Sequence, residues 1–131
     1  MIVLDASAAL EVLLRTPRAA AVQARLFAPG DRFNAPHLVD LEIAQVLRRH
    51  VAAGQMTTAR AAEALDAWRA FPLDRWPHEG LLRRIWALRG TLTAYDAAYV
   101  ALAEALGAPL ITTDAKLART PGHGARVEVV G

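Results

Sequence analysis

Asp5, Glu42, Asp96 and Asp114 are the residues through which this chain can do chemistry: four acids far apart in sequence, each where the local pattern aims it at one region. Asp5 ends the apolar run Ile2-Val3-Leu4, and Asp114 follows Pro109-Leu110-Ile111-Thr112-Thr113, so two carboxylates are expected just past the carboxyl ends of two buried strands. Glu42 and Asp96 fall inside two expected helices. In an open parallel α/β sheet, ligands bind in the crevice beyond the strand ends, which gathers such residues. Four carboxylates sharing a dry pocket must take up protons or recruit a counter-ion, so the chemistry expected is that of a bound metal. A donor set of oxygen alone favours Mg²⁺ or Mn²⁺, hard ions that keep several waters and work on phosphates. His37, His50, His78 and His123 show no HxH or HxxxH spacing and the chain has no cysteine, so a zinc site is not expected.

Two hydroxyls and several charges lie close to these acids in sequence. Ser7 can point back toward the same cation or its water, or it can simply cap the helix it begins. Thr112, two residues before Asp114 and on the same side of its strand, can orient Asp114 or hold a water. Asp40 is turned about 200° away from Glu42 on a helix and is not expected to face the same point. With Thr93 as cap, Asp96 takes the third helical position, where an acid stabilises the helix dipole. It also enters one of the most apolar helices of the chain, where an acid needs a partner. Lys116 and Arg119 read first as solvated charges, within reach of a substrate phosphate.

The elements that must hold these residues alternate. Strands are expected at Ile2 to Asp5, Arg32 to Ala35, Pro72 to Trp76, Pro109 to Thr112 and, at an edge, Arg126 to Val130. Between them, helices are expected from Ala8 to about Arg15, Arg18 to Phe27, Leu38 to Ala53, Thr57 or Thr58 to Ala70, His78 to Leu88, Ala94 to Leu106, and a short turn at Ala115 to Ala118. That order predicts a central, mainly parallel sheet sandwiched by helices. Trp68, Trp76 and Trp86 are read as packing or interface residues.

With 131 residues and no internal repeat or long linker, one domain over residues 1–131 is expected. The hydrophobic fraction of 54% fits a globular core and excludes a disordered chain. No stretch approaches the roughly 20 apolar residues of a membrane span, and the first residues, with Asp5 among them, lack a signal-peptide pattern, so a cytoplasmic protein is expected. No phosphate-binding GxxxxGK[ST] or GxGxxG loop is present. The formal charge is +2, and committing four acids to a cation leaves +6, carried almost wholly by arginine. Such a balance suits a polyanion handled by metal ions.

The four acids in their settings, Ile2-Val3-Leu4-Asp5-Ala6-Ser7, Leu41-Glu42-Ile43-Ala44, Tyr95-Asp96-Ala97-Ala98-Tyr99-Val100-Ala101-Leu102-Ala103 and Thr112-Thr113-Asp114, resemble the PIN-domain ribonucleases. The likeness is closest to the VapC toxins of bacterial toxin–antitoxin pairs and covers nearly the whole chain. It implies a three-layer α/β/α fold and a Mg²⁺- or Mn²⁺-dependent endoribonuclease that forms a homodimer. It also implies inhibition by a VapB-type antitoxin whose tail occupies the active-site groove. On that reading Asp5, Glu42, Asp96 and Asp114 hold one or two metal ions, Ser7 and Thr112 support them, and a metal-activated water hydrolyses an RNA phosphodiester.

Three other functions are weighed against this. A PIN-like module that grips RNA or protein without cutting would not need all four acids. A phosphoacceptor receiver domain needs an aspartate ending a central strand near mid-chain, and His50 to Thr58 offers none. A DxD phosphatase fails because position 7 is Ser.

Overall fold

The run Ile2-Val3-Leu4 is fully enclosed, its side chains 0, 0 and 1% exposed, as a strand with neighbours on both edges and helices on both faces must be. The computed structural model describes residues 1–131. In chain order the elements are β1 (Ile2–Leu4), α1 (Ala6–Leu13), α2 (Ala19–Leu26), β2 (Phe33–Pro36), α3 (Val39–Ala52) and α4 (Thr58–Ala70). These are followed by β3 (Leu73–Trp76), a 3-10 turn (Glu79–Leu81), α5 (Leu82–Ala87), α6 (Ala94–Leu106), β4 (Leu110–Thr112), α7 (Ala115–Arg119) and β5 (Val127–Val129).

The five strands form one sheet in the order β3-β2-β1-β4-β5, and every pairing is parallel. Right-handed crossovers dictate the layers. The chain steps from β1 to β2 to β3 in one direction, which puts α1 to α4 on one face. It then returns across the sheet to β4, which puts α5 and α6 on the other. α6 accordingly packs on β1, β2 and β4, and its residues from Ala97 to Ala103 are all buried. The result is the three-layer α/β/α sandwich expected, with the sheet wholly rather than mainly parallel.

Capping sets the helix that matters most here. The Thr93 hydroxyl accepts from the Asp96 amide to start α6, and Gly107 ends it in the left-handed conformation at φ 61°. Two expectations need correction. The helix expected from Ala8 behind a Ser7 cap begins instead at Ala6, with Asp5 in the N-cap position and Ser7 inside, because the Ser7 hydroxyl is committed elsewhere. The helix expected over His78 to Leu88 is broken into a tight turn around Gly80 and the shorter α5, with the His78 ring taking the Leu38 amide. No helix is long and apolar enough to cross a membrane.

Candidate metal centre

Strand order reverses between β1 and β4, since the chain leaves β1 toward β2 but returns to lay β4 on its other side. Beyond the carboxyl ends of these two strands lies the crevice that this topology opens, and Asp5 and Asp114 flank it as expected. Asp5 keeps the extended backbone of the strand (φ −74°, ψ 146°) and makes no side-chain cap to α1, so its carboxylate is available to the crevice.

That carboxylate is held by two hydroxyls. Thr112 Oγ1 donates to Asp5 Oδ2 at 2.7 Å and Ser7 Oγ donates to the same oxygen at 2.8 Å. Each hydroxyl in turn accepts a backbone amide from the turn leaving β4, Ser7 from Thr113 at 3.1 Å and Thr112 from Asp114 at 3.0 Å. A hydroxyl has one proton to give. Both protons are spent on Asp5, so the 3.2 Å between Ser7 Oγ and Thr112 Oγ1 is a packing distance. Ser7 and Thr112 thus lock Asp5 to the turn that carries Asp114, while the Asp114 carboxylate caps α7 through the Lys116 amide at 2.9 Å.

Glu42 reaches the same neighbourhood from α3, and its Oε1 accepts from the Tyr99 hydroxyl at 2.5 Å. Tyr99 stands three residues after Asp96 on α6, so one helix face presents both. In sequence Tyr99 belongs to the apolar stretch of α6, and nothing there marks its hydroxyl beyond its spacing from Asp96.

Electrostatics tie the four acids together. Burial, followed by repulsion from Asp114, pushes Asp5 above the usual aspartate value of 3.8, against the pull of the Thr112 and Ser7 hydrogen bonds. Burial and the charges of Asp5 and Asp96 push Glu42 up against the Tyr99 bond, and burial with the charges of Asp5 and Asp114 pushes Asp96 up. No basic side chain relieves this. The ion pairs of the chain engage Asp31, Asp40, Glu63, Asp66, Asp74, Glu104 and Glu128, and none of the four acids.

The structure therefore brings Asp5, Glu42, Asp96 and Asp114 into one field, but as the side chains lie no three acids converge tightly enough to enclose an ion. The donor set still fits a hard divalent cation: it is all oxygen, without a compensating positive side chain, and burial together with neighbouring acid charges raises Asp5, Glu42 and Asp96. Closing a shell takes side-chain rotation or bridging water, which such ions accept readily. The acids line none of the principal cavities. The largest, about 500 Å³, is an apolar groove between α3 and α4 floored by Leu47, Val51 and Ala61.

Asp40 does face elsewhere, as its position on the helix required. It takes a two-pronged bond from Arg75, at 2.7 and 2.9 Å, and the indole proton of Trp68 at 2.7 Å. Burial opposes its charge, but these bonds outweigh burial and hold its carboxyl below the usual aspartate value. Asp40→Ala is expected to cost about 1 kcal/mol of stability in this half-exposed pair and to leave Mn²⁺ affinity within about twofold of the parent. Chemical denaturation and Mn²⁺ titration check both; a large loss of affinity with the fold intact would place Asp40 in the site.

Trp68 is buried and packs as expected; Trp76 is 38% exposed, although its indole proton goes to Asn34 Oδ1 at 2.9 Å, and Trp86 is 67% exposed. Lys116 and Arg119 are exposed on α7.

Comparison with known proteins agrees with this architecture. A model of the PIN domain matches residues 2–123. The chain is 48% identical over 120 residues to the ribonuclease VapC9 of Mycobacterium tuberculosis, covering 92% of this chain and 91% of that one. It is 43% identical over 130 residues to VapC12 of the same organism, covering 99% of each. Among solved structures, VapBC2 from Rickettsia felis, bound to a DNA fragment from their promoter, superposes with a TM-score of 0.76 over 100% of both chains at 16% identity, a likeness of fold.

Proposed function

The chain belongs to the PIN-domain family, among the VapC ribonucleases, and on that footing we propose that residues 1–131 act as one PIN domain that hydrolyses RNA phosphodiester bonds with Mg²⁺ or Mn²⁺, as the toxin of a VapBC-type pair. The observation that supports the site is the set of four acids at the strand switch point, unpaired by any arginine or lysine, with Asp5, Glu42 and Asp96 raised by burial and by neighbouring acid charges. Asp5, Glu42, Asp96 and Asp114 are the residues proposed to hold the cation, directly or through water.

When bound, a divalent ion supplies a Lewis acid for the phosphate and lowers the pKa of water. The chain's own residues do the rest. Ser7 and Thr112 hold Asp5 in one orientation, so its rotamer is set before substrate arrives. Asp96 and Asp114 are half-buried, so both remain partly accessible from solvent. Exposed arginines, with Lys116 and Arg119, hold phosphates and make binding salt-dependent. The cut requires no attack by the RNA 2′-hydroxyl.

The partners proposed are RNA, a VapB-type antitoxin and a second copy of the chain. Leu82, Trp86 and Tyr95, each more than half exposed on α5 and at the start of α6, form an apolar face of the kind a homodimer covers. A cytoplasmic setting is part of the same proposal. Incubating the purified chain with total RNA, in Mn²⁺ and in excess chelator, tests the central reading: cleavage in Mn²⁺ alone, suppressed by the antitoxin, is the expected result. The acids do not converge as they lie, which favours a second reading as a non-catalytic binding module. RNA retention without cleavage or Mn²⁺ binding would establish that reading instead.

A further inference from the structure

Tyr99 buries a phenol where a phenylalanine would fill the same core volume. The residue is completely buried, and a buried hydroxyl is costly without a partner. Its hydrogen bond is to Glu42 Oε1 at 2.5 Å, joining α6 to α3 across the crevice. Asp5, just past the end of β1, is close enough for its charge to act on the phenol, which is bonded to Glu42 on α3. Burial, then the charges of Asp5 and Glu42, push the phenol far above its usual range, so it stays a donor at any working pH. Glu42 by itself has three rotatable side-chain bonds and stands half-buried on α3. The phenol removes that freedom at Oε1, and no hydrogen bond engages Oε2.

We propose that Tyr99 is a positioning residue for the metal centre: its hydroxyl fixes Glu42 through one carboxylate oxygen and leaves the other for the cation. This rests on the assignment of Glu42 as a metal-holding residue. Groups that orient a ligating carboxylate typically change metal affinity when removed, and here one oxygen atom can be deleted without altering the core's shape.

The test is Tyr99→Phe in the full chain, with Mn²⁺ binding followed by calorimetry and by the free-ion paramagnetic signal. The dissociation constant for Mn²⁺ is expected to rise about tenfold, with the melting temperature held. RNA cleavage should fall at limiting Mn²⁺ and recover at saturating Mn²⁺, with KM for RNA unchanged. In a Glu42→Gln background, where no carboxylate remains to be oriented, the same substitution should change Mn²⁺ affinity less than about twofold. Unchanged affinity in the single variant, an equal loss in both backgrounds, or collapse of the fold in Tyr99→Phe would each overturn the proposal. If the parent protein binds no Mn²⁺, the metal-nuclease reading falls and this one with it; if the parent binds and Tyr99→Phe binds equally, only the role of Tyr99 is lost.

Discussion

Asp5→Asn is expected to lower RNA cleavage on the order of a thousandfold while the protein melts at the same temperature or higher. The reason lies in what the two side chains share. The amide oxygen of Asn can still accept the protons of Ser7 and Thr112, which lie 2.8 and 2.7 Å from Asp5 Oδ2, so the lock between β1 and the turn after β4 survives. What disappears is a charge that burial and Asp114 already disfavour, and its loss relieves Glu42 and Asp96 as well. Activity and stability should therefore move apart. A variant that merely loosened the fold would lose both together. Asp96→Asn should behave in the same way, because the Thr93 bond that starts α6 uses the Asp96 backbone amide and not its side chain. Cleavage rate and melting temperature, measured on the same preparations, decide the matter: full activity in either variant removes that acid from the site.

Much of this site was legible because strand ends announce themselves. Ile2-Val3-Leu4 and Leu110-Ile111-Thr112 are too short and too apolar to be surface elements, and an acid within two residues of the end of each has few places to go other than the crevice of a parallel sheet. The helical period separated Glu42 from Asp40, and Arg75 shows where Asp40 goes. What stayed hidden depends on atoms from distant segments. The Ser7 hydroxyl satisfies a cap and an acid equally well in sequence terms, and the second donor to Asp5, Thr112, arrives only because β1 pairs with β4, a register that no local pattern encodes. Tyr99 sat in an unbroken apolar run and was absorbed into the core, since its ring does pack there; only the proximity of α3 reveals the hydroxyl's partner. Convergence of the acids is absent as the side chains lie, and closing a shell on a cation would take side-chain rotations that like charges resist.

That resistance yields the second large effect. Asp5, Glu42 and Asp96 have folded-state pKa values raised above their ordinary 3.8, 4.5 and 3.8. A raised carboxyl contributes stability below its unfolded value and loses it as pH climbs through the folded value. In chelator, the melting temperature should therefore rise as pH falls from neutral toward the ordinary carboxylate range. Below that range the sign reverses. Asp40, held by Arg75 and Trp68 against burial, and Glu104 and Glu128, held by Arg84 and Arg25, have lowered values, and their stabilisation is lost as pH falls through them. A cation held by the proposed site would act on the first group alone, favouring the ionised form that burial penalises. Mn²⁺ at about a hundred times its dissociation constant stabilises by about 2.7 kcal/mol, which in a chain of this length raises the melting temperature by roughly 10 °C. The gain should be greatest near neutral pH and vanish as the acids protonate, because protons and cation compete for the same oxygens. Calorimetric melts across pH, with Mn²⁺ and with chelator, check this, with Asp5→Asn as the control in which the gain is largely lost. An Mn²⁺ shift that ignored pH, or that persisted in full in Asp5→Asn, would put the ion somewhere other than the crevice between β1 and β4.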